Sequence, residues 1–122
     1  MRKMRKAQTL VEFAVSLAVF VLLLLGLVEA GRYAFSISTL TNAAKEGARY
    51  ATLRPYDLAG ITDRVRSTVA GIDRNQVSVQ VTYSPDPPQS GALVTVKVSY
   101  PFRPIFVRFD TPIVVKATMR LP

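Results

Sequence analysis

The sequence predicts an α+β fold: a long N-terminal helix, a short second helix and a three-stranded antiparallel sheet. Three observations carry that prediction. Phe13–Val28 contains no charge, no proline interrupts the chain from Gln8 to Leu53, and beyond Gly71 the apolar spacing changes from three-and-four to two.

The first helix begins with an apolar run. Leu10, Val11, Ala30 and Gly31 extend it to about twenty residues, enough to cross a hydrocarbon core roughly 30 Å thick. The membrane-spanning part is therefore placed at about 10–31. Arg2, Lys3, Arg5 and Lys6 precede it, and no comparable basic cluster follows directly. That asymmetry predicts a single pass with the N-terminus in the cytoplasm and the chain beyond Arg32 outside. Three other readings compete: a buried globular helix, a plain unprocessed anchor, and a secretory signal cut after Val28-Glu29-Ala30. Against the last, the apolar stretch exceeds a usual signal core and no break follows it. Glu12, near its cytoplasmic end, is the costly residue. A charged side chain costs about 2.5–3.5 kcal/mol at the centre of an inserted helix and less near an end, where the helix N-terminus favours negative charge. It either snorkels to water or awaits a partner in a bundle of neighbouring helices.

Beyond the apolar run the helix is expected to continue to Leu53, about 45 residues or roughly 68 Å in all, until Pro55 stops it. Tyr33, Ile37, Leu40, Ala44, Ala48 and Ala51 form one apolar stripe. Arg32, Ser36, Thr39, Asn42, Glu46 and Arg49 fall largely elsewhere, with Glu46 and Arg49 spaced as a helical pair. The small residues Ala43, Ala44, Gly47, Ala48 and Ala51 permit close backbone approach, by the sheet of the same chain or by another subunit. Asp57 then caps a second helix of about 14 residues, with Leu58, Ile61, Val65 and Val69 on its apolar face and Gly71 as its stop.

Val77, Val79, Val81 and Tyr83 alternate with polar residues, as do Ala92, Val94, Val96, Val98 and Tyr100, and then Ile113, Val115, Ala117, Met119 and Leu121. Each set predicts a half-buried strand. The connection Pro85–Gly91 is turn-rich and too long for a two-residue hairpin turn. Pro101–Phe109 is expected to be irregular or an edge excursion, because proline suits no central strand. Its Phe102, Ile105, Phe106 and Phe109 are expected to cover the core, with an exposed contact patch as the alternative.

Composition narrows the chemistry. A chain of 122 residues without cysteine or histidine has room for one small domain. It lacks disulfides, Cys- or His-ligated zinc, Cys–His nucleophiles and any Ser-His-Asp triad. The net charge of +8, from 16 basic and 8 acidic residues, is concentrated in the leader and scattered afterwards, so nucleic acid is not an expected partner. Asp57, Asp63, Asp73, Asp86 and Asp110 are isolated from one another. The first four read as caps, turn formers or solvated charges. No P-loop, nucleophile elbow or dinucleotide glycine run occurs. No enzyme and no cofactor are expected.

The run Ala7-Gln8-Thr9-Leu10-Val11-Glu12-Phe13, after a basic leader and before an apolar helix, resembles the class III signal of type IV pilin-like proteins. Glu29-Ala30-Gly31-Arg32 and Asn42-Ala43-Ala44-Lys45-Glu46-Gly47-Ala48-Arg49 resemble the pattern of the TadE-like family. Val98-Ser99-Tyr100-Pro101-Phe102 and Ala117-Thr118-Met119-Arg120 are similar to its C-terminal end. The resemblance implies a minor pilin or pseudopilin of the Tad/Flp tight-adherence system. It implies a basic leader at 1–7, a long helix at 8–54 and an extracytoplasmic α+β domain at 55–122. A prepilin peptidase would cut between Ala7 and Gln8, where the family more often carries glycine before the cut. Glu12, then the fifth mature residue, would pair with the amine of Gln8 in a neighbouring subunit, and Gly47, Ala48 and Arg49 would serve helix packing. The implied partners are the peptidase, other pilin-like subunits, the cytoplasmic (inner) membrane and Tad-type assembly machinery. The implied location is that membrane, and a surface pilus after assembly. An unprocessed envelope assembly or adaptor protein and a secreted module released after Ala30 are the other two functional readings.

Overall fold

The computed structural model describes residues 2–84, 87, 89–106 and 111–122. Its elements run in the order helix α1 (Arg2–Leu53), helix α2 (Leu58–Thr68), a 3₁₀ turn (Arg74–Gln76), then strands β1 (Ser78–Ser84), β2 (Leu93–Phe102) and β3 (Thr111–Arg120). The predicted α+β architecture is therefore the one observed. Asp86, Phe109 and Asp110 lie outside the described residues.

The chain divides into two compact units, Met1–Arg32 and Tyr33–Pro122. In the first, α1 is a bare helix that already includes the leader residues from Arg2. Nothing in the sequence stops it there, because neither glycine nor proline occurs before Gly26.

The second unit holds the rest of α1 together with α2 and the sheet. The sheet order is β1-β2-β3, antiparallel throughout. Its core joins Leu40, Ala44 and Ala48 of α1, Ile61 and Val65 of α2, and Val94, Val96 and Val98 of β2, all inaccessible to solvent. The small helical residues thus pack within the chain. A methyl group added at Gly47 would collide with Val65 Cγ2 and touch Val96 Cγ1 at 3.4 Å. The buried stripe differs from the expected one at its start. Ser36 is buried and Tyr33 is partly exposed, because the first point of close approach takes a small side chain.

Asp57 caps α2, its carboxylate accepting from Gly60 N at 3.0 Å. The helix is three residues shorter than expected. Val69 turns to extended backbone and is buried, and Ala70 N donates to Thr39 Oγ1 at 3.0 Å, so packing on α1 ends the helix before Gly71. Gly71 lies beyond it with φ +77°. Leu58, expected on the apolar face, is 56% exposed, since it occupies the first turn, where that face runs out into solvent. Asp73 also acts as a cap, accepting from Asn75 N at 3.0 Å and opening the 3₁₀ turn.

At Pro101 the edge alternative is the one observed, within a regular strand and not an irregular segment. Pro101 belongs to β2 and faces Pro112 of β3. Opposed residues of an antiparallel pair exchange both hydrogen bonds or neither, and two prolines can exchange none, so this is a non-bonded pair. The other flank of Pro101 needs no donor either, because β1 ends its pairing at Ser78 opposite Ser99. Locally β2 is an edge strand, where proline is tolerated. Phe102 is buried as core cover, but Ile105 and Phe106 are not: they are 64% and 50% exposed.

Candidate functional site

The N-terminal part of α1 is an apolar helix whose large side chains are exposed. Leu10, Phe13, Leu17, Leu23 and Leu27 are all exposed. Leucine and valine are seldom displayed on every face of a water-soluble helix, since each costs about 1.5–3 kcal/mol relative to burial. Among the described residues this is the one helix long and apolar enough to cross a membrane.

Ala7, Gln8 and Glu12 lie on the first turns of this helix, all exposed. Gln8 and Glu12, four residues apart, share one face. The helix is continuous through the Ala7–Gln8 bond, and Thr9 Oγ1 donates to the carbonyl of Arg5 at 2.9 Å. In the intact chain the nitrogen of Gln8 is a backbone amide without charge. No ion pair among the described residues includes Glu12. At the far end of the run, Glu29 and Arg32 form an ion pair at 3.3 Å, which lowers the cost of holding either charge close to hydrocarbon.

The second unit places Gly47 and Ala48 in its core, whereas the Arg49 side chain is 70% exposed and pairs with Glu46 at 3.5 Å. Glu46 also meets Arg64 of α2 at 3.5 Å, a link across two helices that helical spacing alone does not reveal. A shallow groove lined by Ser38, Thr39, Asn42, Lys45, Thr68 and Ala70 has one ionisable group, Lys45, and so no acid–base pair. Among the described residues no cluster of His, Cys, Asp or Glu is arranged to hold a metal ion. The exposure of Ile105 and Phe106 was not legible in the sequence, because their spacing suits a core or a surface equally.

Residues 7–49 match the family model described as TadE-like protein. The matched stretch starts at Ala7 and ends at Arg49, so it contains the signal-like run, the Glu29–Arg32 end of the apolar segment and the Glu-Gly-Ala-Arg run. The C-terminal segments likened to the family lie outside it. No curated protein and no solved structure matches the chain. Over residues 7–49, then, the chain carries the TadE-like pattern that its residues suggested, on a helix long and apolar enough to span a membrane.

Proposed function

We propose that this chain is a structural minor pilin or pseudopilin of a Tad-type pilus or secretion assembly. A membrane prepilin peptidase cuts after Ala7, and the chain assembles through its N-terminal helix. One observation carries the reading: an exposed apolar helix whose early turns hold a single carboxylate, Glu12, with no ion-pair partner among the described residues. Cleavage turns the Gln8 nitrogen from a neutral amide into an amine able to carry a proton and a positive charge. That cation is the partner Glu12 lacks, supplied by a neighbouring subunit. Pairing removes an intramembrane charge from both. The basic leader supports an N-terminus inside and the sheet-bearing unit outside.

Intact-mass measurement of the protein from assembled material, in cells containing the cognate peptidase, tests the proposal. A mass lacking Met1–Ala7 is expected, and retention of the leader would overturn the processing step. The second reading is an unprocessed, membrane-anchored envelope adaptor. It is favoured by Ala7 standing where glycine is more usual, and it gives Glu12 no role beyond snorkelling.

A further inference from the structure

Within the second unit, Tyr33 packs edge-on to Phe102, with ring centroids 5.3 Å apart and planes at 78°. Phe102 is the last residue of β2, so Arg103–Phe106 leave the strand from a residue that touches Tyr33. Ile105 and Phe106 are then largely exposed, and so is Phe35, two residues beyond Tyr33. The contact of Phe35 with the Gly71 turn leaves about half of that ring in solvent. Tyr33 in turn follows Arg32 directly, so its depth is tied to the end of the apolar segment within one helical rise, about 1.5 Å.

We propose that Tyr33, Phe35, Ile105 and Phe106 form a foot that lies in the phospholipid headgroup layer on the side of the membrane that bears the folded unit. Continuity along the chain with the apolar segment selects lipid as the occupant. An apolar ring body with a polar tip, as in Tyr33, suits the boundary between acyl chains and headgroups, and aliphatic and phenyl groups partition to the same depth. Arg103 adds a positive charge suited to a phosphate-rich layer. The foot rests on the apolar segment spanning a membrane, and neither on cleavage at Ala7 nor on polymer assembly.

The chain contains no tryptophan, so one introduced indole reports its own site. The full chain is reconstituted in phosphatidylcholine vesicles with Phe106→Trp, with Val19→Trp in the apolar segment, or with Thr82→Trp on the exposed face of β1. Emission maxima are then read, with quenching by lipids brominated close to the headgroup for Phe106→Trp and Thr82→Trp and by lipids brominated deep in the acyl chain for Val19→Trp. The expected result is a blue-shifted, quenched Phe106→Trp, a quenched Val19→Trp, and a Thr82→Trp that is neither shifted nor quenched. A quenched Val19→Trp beside a Phe106→Trp that behaves like Thr82→Trp overturns the foot and leaves the anchor standing. A blue-shifted Phe106→Trp without quenching assigns the patch to burial against protein, in the same chain or a second copy, and also overturns it. An unquenched Val19→Trp removes the membrane span, and the foot with it.

Discussion

The Tyr50 hydroxyl donates to Asp57 Oδ2 at 2.7 Å while Asp57 Oδ1 accepts from Gly60 N at 3.0 Å. One carboxylate therefore joins the last turns of α1 to the first turn of α2 across Pro55. The hydroxyl of Tyr83 on β1 donates to the carbonyl of that proline, so the sheet grips the same corner. The Tyr50 hydrogen bond first, and the Gly60 amide second, hold the Asp57 carboxyl below its ordinary range. The same bond to Asp57, with burial and the negative charge of Asp57 after it, raises the Tyr50 phenol.

A depressed carboxyl stabilises the fold in its charged form. Its contribution is complete above the ordinary aspartate pKa and is lost as pH falls through the lowered value of the folded state. Asp57→Ala is expected to lower the urea midpoint of unfolding at neutral pH, followed by circular dichroism in detergent. It should also flatten the acid limb of stability between the two pKa values. Asp57→Asn, which can still cap, should recover part of the midpoint but none of the acid dependence. An unchanged acid limb in Asp57→Ala would show that this corner does not govern acid sensitivity.

Gly47 is set by contact and not by helix chemistry. Alanine there would favour an isolated helix by about 1 kcal/mol, yet its methyl would collide with Val65 Cγ2. Val65 is fully buried and β-branched, so it has no easy rotamer to escape into. Overpacking of this kind costs about 1–3 kcal/mol. Gly47→Ala is therefore expected to destabilise by a net amount of about 1 kcal/mol. Val65→Ala in the same background should return part of the loss, a coupling that a double-mutant cycle by urea unfolding would measure. Strict additivity would place the cost elsewhere than in this contact.

Gly71 is held by its backbone. Its φ of +77° lies in the left-handed region, where an L side chain costs roughly 1–2 kcal/mol. An added methyl would also come within 2.7 Å of Phe35 Cε1. The Phe35 ring is half exposed and can swing away, so the backbone cost should dominate. Gly71→Ala is expected to destabilise by about 1–2 kcal/mol and Gly71→Asn by less. Phe35→Ala should not rescue the alanine variant. Full rescue would show that the ring, and not the dihedral, makes glycine necessary.

These positions show what the sequence made legible. Val94, Val96 and Val98 announce a buried strand face through a period of two, and Asp57 and Asp73 announce caps by standing before short helical turns. Periodicity names a face but does not say how far its partner extends. Leu58 sits on the right face of α2 and is exposed because the covering stops short of it. Ser36 is buried because close approach selected size over polarity. Pro101 depends on where β1 ends, which is a property of its neighbour. At the candidate site, Glu12 was legible because a carboxylate beside an apolar run is costly wherever it occurs. The exposure of Ile105 and Phe106 was not, because their spacing suits a core or a surface equally.

Glu12 supplies the sharpest prediction of the assembly reading. Removing its charge makes membrane insertion easier by up to about 2.5–3.5 kcal/mol at the centre of a bilayer and by less near an end. Glu12→Ala and Glu12→Gln are therefore expected to fractionate with membranes at wild-type yield while losing assembled material, scored by shearing and sedimentation. Normal assembly of either variant would sink the pairing. Snorkelling alone predicts no assembly defect, so the two roles separate in one experiment. The partner is tested by crossing Glu12→Ala with a bulky Ala7→Leu that blocks the cut. Uncut chains keep the Gln8 nitrogen as a neutral amide, so Glu12 has no cation to meet. The double variant should then assemble no worse than Ala7→Leu alone. An additional loss in the double variant would mean that Glu12 serves assembly through a contact other than the new N-terminus.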